Sequence, residues 1–236
     1  MATHQPPLAF AADLAELRAM VAEMGGLAEA AIDAAVAALV HRDIESAARI
    51  VKEDARIDAL DAELERRAIA LIAQRAPTDG FLREVIAALK IANVVERMGD
   101  YAKNIAKRVP LLQDSRGIEP LSILPAMARA TGEMVHNALD AFAARDAEAA
   151  LRVCESDRTV DDFYNSIFRA LLTYMMENPH NITASAHLLF IAKNLERIGD
   201  HATNVAEMVY YAATGTQLTE RARGVDHLAT TATMVQ

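Results

Sequence analysis

The stretch "ANVVERMGDYAKNIA" at residues 92–106 returns as "AKNLERIGDHATNVA" at residues 192–206. Eight of the fifteen positions are identical, and three more exchange one apolar residue for another. A second pair, "HRDIESAARIVKEDARID" (41–58) and "ARDAEAALRVCESDRTVD" (144–161), aligns at an offset of 103, where the first pair aligns at 100. The chain is therefore one unit written twice, with three fewer residues in an intervening loop of the second copy.

The unit reads as helical. Apolar residues make up 53% of the 236, with 9 Gly, 7 Pro and no Trp, and Ala and Leu dominate over β-branched clusters. Breaks fall at "HRDIE", at "APTDG" with Pro77 and Gly80, at the linker "VPLLQDSRGIEPLSILP" (109–125), and at Pro179. The spacing predicts helices over 12–41, 44–75 and 79–109, then 121–143, 146–177 and 180–213. Helices of roughly 30 residues, about 45 Å long, joined by short turns, pack as antiparallel neighbours. In the second of them Ile50, Ile57, Leu60, Leu64 and Leu71 form the core stripe. The expected fold is all-α: two repeated three-helix bundles, six long antiparallel helices, with repeats at 10–112 and 120–214. The tail 215–236 has weak periodicity and reads as partly disordered.

A net charge of −9 argues against nucleic acid as a partner and against binding anionic lipid through the overall field. The single cysteine, Cys154 in "LRVCES", cannot form an internal disulfide and reads as a small buried apolar residue. The longest apolar runs, "REVIAALKIA" and "HLLFIAK", are cut by charge, so no membrane span is expected. The first residues have no basic leader and reach acids at Asp13 and Glu16, unlike a signal peptide. A soluble cytoplasmic protein is expected.

The quoted repeat places Glu96 and Asp100 four residues apart, where like charges on a helix repel by about 0.2–0.5 kcal/mol. Val85, Leu89, Ala92, Glu96 and Asp100 lie in one row, so the two acids continue an apolar stripe. Leu189, Ala192, Glu196 and Asp200 repeat it. Ile91, Val94, Met98, Ile105 and Val109 occupy a second face, and Arg83, Lys90, Arg97 and Arg108 a third, expected to face water. On the preceding helix Asp54, Asp58, Asp61 and Glu65 form an acidic row bordering the core; the second copy keeps Asp157 and Asp161, then has Tyr164 and Phe168. Bases on the same helix do not balance these acids. Glu96 has no Lys or Arg three or four places away, and Lys103, within reach of Asp100, becomes Thr203 in the second copy.

A cation answers the imbalance. Carboxylates, with Asn104 and Asn204 one turn on, are hard oxygen donors suited to magnesium, calcium, manganese or iron ions, divalent or trivalent, with zinc a poorer match. Histidine is missing from the rows, since His201 follows Asp200 directly and points elsewhere. Gly99 and Gly199, each costing a helix about 1 kcal/mol, either let a cluster or partner helix come close or mark tight packing alone. Salt bridges to bases on other helices are the alternative to metal.

Two copies of a three-helix unit, each ending in "ER-x-GD-x-x-x-N-[IV]-A", together with "MGGLAEAAIDAA" (24–35), resemble the PhoU phosphate-uptake regulators, from about residue 10 to 213. The resemblance implies metal sites on the bundle surfaces, which fall here on Asp54 and Asp58, Glu96 and Asp100, Asp157 and Asp161, and Glu196 and Asp200. It implies a negative regulator of the phosphate response acting between the ATPase subunit of a phosphate ABC transporter and a sensor histidine kinase. It implies a homodimer or higher homo-oligomer, peripheral to the membrane through its partners only. The residues themselves leave two other readings: a metal-dependent hydrolase of phosphate esters, and a metal-free helical scaffold. No Ser/His/Asp or Cys/His set and no Gly-rich phosphate loop supports an enzyme.

Overall fold

The structure is a computed structural model that describes residues 8–77, 79–113 and 122–218. Among these residues seven α-helices run in chain order: α1 (Leu8–His41), α2 (Ile44–Glu53), α3 (Ala55–Arg75), α4 (Asp79–Ala106), α5 (Leu124–Ala144), α6 (Ala147–Glu177) and α7 (Ile182–Thr214). Single 3₁₀ turns sit at Pro110–Leu112 and Pro179–Asn181. Strands are absent among the described residues.

Helices α2 and α3 together are the expected second rod. Asp54, between them, keeps right-handed helical angles (φ −52°, ψ −36°). The rod tightens there, because the Ile57 N–H donates to the Asp54 carbonyl at 2.9 Å, a three-residue reach. Its counterpart α6 runs unbroken, so the chain is six long rods with one hitch. Helix α4 ends at Ala106, three residues before the expected end. Pro110 has no N–H to offer the Ala106 carbonyl, and the last turn closes instead by the Val109 N–H to that carbonyl at 3.1 Å.

The repeat extends to the caps. Arg42 and Arg145, equivalent residues, both take left-handed backbone at φ 57°. The N–H groups of Asp43 and Asp146 then reach back to the carbonyls of Ala38 and Ala141, each at 2.9 Å, closing the first helix of each copy in the same way. The two aspartates cap the next helix: Asp43 accepts from the Ser46 N–H at 2.9 Å, and Asp146 from Glu148 and Ala149 at 2.9 and 3.0 Å.

In the first copy α1, the α2–α3 rod and α4 pack together; in the second, α5, α6 and α7. The copies join through α4 against α7 and α1 against α5, so the core is continuous. Leu17, Met24, Ile32, Ile91, Met98, Ile105, Met127 and Leu188 are fully buried in it. The stripe Ile50, Ile57, Leu64 and Leu71 is buried as expected, with Leu60 partly covered. At the α1–α5 contact a Cβ on Gly25 would run into Leu139 Cδ1. Glu84, on α4, is 5% exposed and held by Arg18 of α1 and Arg145 at the end of α5, one ion-paired group tying both copies together.

Three expectations need correction. Arg83 and Arg108 are half-buried instead of water-facing. Arg108 lies over the Phe190 ring at 4.0 Å and its Nη1 meets His187 Nδ1 at 3.0 Å, because α7 covers that end of α4. Second, α1 does contain a stretch, Ala11–His41, long and apolar enough by length and composition to cross a membrane. Its alanines raise the hydropathy between widely spaced charges, while Leu14, Leu17, Val21, Met24, Ala28 and Ile32 bury themselves in the bundle. Third, the second copy's first helix begins at Leu124, not 121, where Pro125 takes an early helical position that needs no N–H. The expectation for the tail lies, from residue 219 on, outside the described residues, as do linker residues 114–121.

Candidate metal centre

The two glycines decide how near the acidic rows come. A Cβ on Gly99 would lie 2.8 Å from Ile57 Cδ1 and 3.5 Å from Asp54 Oδ1. A Cβ on Gly199 would lie 3.3 Å from Val160 Cγ1 and 3.7 Å from Asp157 Oδ1. The two readings of the glycines are one: close helix packing is what carries the first carboxylate of each row over the Glu-Arg-x-Gly-Asp turn of its neighbour.

In the first copy Asp54 is buried, 8% exposed. Glu96 and Asp100 are half-buried, and Asp58 is exposed. Burial, then the charges of Asp100, Asp58, Asp61 and Asp54, push the Glu96 carboxyl above its ordinary range. Asp61 is raised too, by burial and by Glu65 and Asp58. Asp54 at the α2–α3 junction, α3 and α4 therefore share one acidic field. Lys103 answers it: its ammonium pairs with both Asp54 and Asp100. Burial works against the Lys103 charge, but the hydrogen bonds to Asp100 and Asp54 outweigh it and raise its pKa.

The second copy has Thr203 where Lys103 stands. Asp157 is half-buried and Asp161 and Asp200 are exposed at its edge. Burial, then the charges of Asp161, Asp200 and Glu196, push Asp157 up to about 6; the Thr203 hydroxyl pulls back slightly without a well-formed hydrogen bond. Asp161 and Asp200 are raised as well, by partial burial and then by Glu196, with Lys193 acting against them. Among the described residues Asp157, Asp161 and Asp200 form no ion pair. Lys193 pairs with Glu196 Oε1 and lies 5.2 Å from the Tyr164 ring, where the first copy has Asp61. Glu196 Oε2 is buried with no hydrogen-bond partner.

Each copy thus brings its four candidate residues to one face of two adjacent helices. Among the described residues, however, no three His, Cys, Asp or Glu side chains already stand in metal-ligating geometry. The second copy fits a hard cation: its donors are all oxygen, and one buried carboxylate oxygen is orphaned. In the first copy an ammonium sits among the donors. Spacing on one helix could show Lys103 beside Asp100, but not its reach to Asp54 on another rod. Lys193, three residues before Glu196, is a base that helical spacing does place beside its acid. His201 turns from the acids, as expected, and stacks on Tyr101; Asn204 Nδ2 meets its Nδ1 at 3.4 Å. Cys154 is buried, as expected of a small apolar residue.

Two clefts lie elsewhere, at the hairpin ends. One is lined by Ala38, Asp43, Ser46 and Arg49, the other by Ala141, Asp146, Ala149 and Arg152, position for position the same place in each copy.

The PhoU domain family model matches residues 21–109 and again 124–209. A phosphate-specific transport system accessory protein PhoU homolog of Zymomonas mobilis is 58% identical over 221 residues, covering 94% of this chain and 93% of that protein. A protein of the same description from Caulobacter vibrioides is 46% identical, covering 92% and 94%. Among solved structures, the crystal structure of PhoU from Pseudomonas aeruginosa superposes with a TM-score of 0.84 at 36% identity, over 88% of this chain and 100% of that one. The phosphate transport system regulatory protein PhoU from Streptococcus pneumoniae gives 0.83 at 28%, over 89% and 99%.

Proposed function

Since the chain belongs to the PhoU family, we propose that it is a negative regulator of phosphate uptake and phosphate-starvation signalling, a metal-binding adapter between a phosphate ABC transporter and a sensor histidine kinase. The observation that carries this reading is the match of both repeats, together with relatives whose names describe accessory and regulatory proteins of phosphate transport. Those relatives are not enzymes by name, in line with a chain that lacks a nucleophile–base set.

The adapter works in the cytoplasm, as a homodimer or larger homo-oligomer, and reaches the membrane through its partners. Its two units, 10–112 and 120–214, offer long helical faces to the transporter's ATPase subunit and to the kinase. Asp157, Asp161, Glu196 and Asp200 are the residues that would hold a metal ion on α6 and α7. When bound, the ion supplies the positive charge that lets these carboxylates ionise together. The residues then pin α6 to α7 and fix the face that docks.

The test is a pull-down with the full chain from cells grown with scarce and with plentiful phosphate. Capture of the transporter ATPase subunit and the kinase, without phosphate-ester turnover, is expected. Metal-dependent turnover with neither partner captured would overturn the adapter in favour of the hydrolase.

A further inference from the structure

The two copies of the carboxylate motif differ in how their charge is balanced, and the difference turns on two positions, Lys103 against Thr203 and Asn93 against Lys193. In the first, the Lys103 ammonium bridges Asp54 at the α2–α3 junction and Asp100 on α4, with its side chain only 20% exposed. It draws on one acid from each helix, the two groups a bridging metal ion would need. A cation tethered to the fold loses no translational freedom on binding, and its charge repels a second cation from the same carboxylates.

In the second copy, Thr203 supplies no charge. Lys193 does not take over the bridge: it pairs within α7 with Glu196 Oε1 and lies near the ring of Tyr164. Asp157 on α6 and Asp200 on α7 stay without an ion pair among the described residues, and Glu196 Oε2 is buried and unpartnered.

We infer that Lys103 closes the first copy to metal, so that metal loading of this chain is confined to the second. The first bundle keeps its helices joined by a fixed internal cation; the second depends on an exchangeable one. The inference rests on the metal-binding reading above, applied to one half of the chain and withdrawn from the other.

The experiment is equilibrium dialysis of the chelator-stripped full chain against Mn²⁺. Bound Mn²⁺ is expected to vanish in the double variant Glu196→Gln/Asp200→Asn and to persist in Glu96→Gln/Asp100→Asn. Lys103→Thr should raise Mn²⁺ per chain about twofold, by opening an equivalent site. Thr203→Lys should abolish it, and this variant decides the matter if Lys103→Thr loses its helical circular dichroism. Wild-type loading that falls by half in Glu96→Gln/Asp100→Asn would overturn the inference and leave metal binding standing. So would a folded Lys103→Thr that gains nothing. Failure of the wild type and of Lys103→Thr alike to take up Mn²⁺ would overturn the metal reading itself.

Discussion

Tyr101 and His201 stack with ring centroids 5.5 Å apart and planes 20° from parallel, and each directly follows the Asp of its repeat. A residue meeting its own counterpart places the internal two-fold axis between them, where α4 crosses α7. Arg197 adds a cation 5.8 Å from the Tyr101 ring. Burial, with Arg97 and Arg197 nearby, holds the His201 pKa below its ordinary value, so the ring stacks as the neutral form. Tyr101→Ala should therefore destabilise the chain by about 1–2 kcal/mol, the stack and the cation–π contact together. Urea unfolding measures it; an unmoved midpoint would mean the repeats do not depend on this contact.

The glycines should separate under substitution. Gly99→Ala puts a Cβ 2.8 Å from Ile57 Cδ1, and Ile57 is buried in the core with little room to retreat. Overpacking of about 1–3 kcal/mol outweighs a helix gain of about 1 kcal/mol, for a net loss of about 1 kcal/mol. Gly199→Ala meets Val160 Cγ1 at 3.3 Å, a few tenths of an ångström too close, and the helix gain offsets most of that strain. Thermal melting should rank Gly99→Ala below Gly199→Ala, and the opposite order would refute the packing account.

The fold was legible because its punctuation is local. Pro77 follows the last turn of α3, where a residue without an N–H cannot continue the ladder, and the Asp43 and Asp146 caps act within three residues of themselves. The acidic rows were legible because helical spacing sets which side chains share a face. What stayed hidden needs distance in sequence. Lys103 meets Asp54 across 49 residues, and nothing local marks it. The hitch at Asp54 occurs without proline or glycine. The α1 apolar stretch stands out only over a whole window, because its alanines spread the hydropathy between charges without forming an unbroken run.

Glu84 carries the next prediction. Its carboxylate is buried, and both partners are arginines from other helices. Arg18 is 25% exposed and Arg145 is 54% exposed, so the Arg18 pair is the more desolvated and the less screened by water. Arg18→Ala should cost about 2–3 kcal/mol and Arg145→Ala about 1 kcal/mol, by chemical denaturation. Equal losses would mean exposure does not grade the two pairs.

Asp157 makes the metal-free protein sensitive to pH. Its carboxyl is pushed from an ordinary 3.8 up to about 6, first by burial, then by Asp161, Asp200 and Glu196. Between those values the folded chain holds a proton that the unfolded chain has released. The stabilisation is complete below about pH 4 and is lost as pH rises through about 6. Asp157→Asn cannot titrate, so in chelator its melting temperature should pull ahead of wild type as pH climbs from 5 to 7. Opposite contributions, such as the buried neutral His201, are common to both proteins and drop out of the difference. Excess Mn²⁺ favours the ionised carboxylates, so it should shrink that gap in wild type by stabilising the fold at pH 7. A difference that stays flat from pH 5 to 7 would show that Asp157 is not crowded by its neighbours, and would remove the electrostatic reason for placing a cation on α6 and α7.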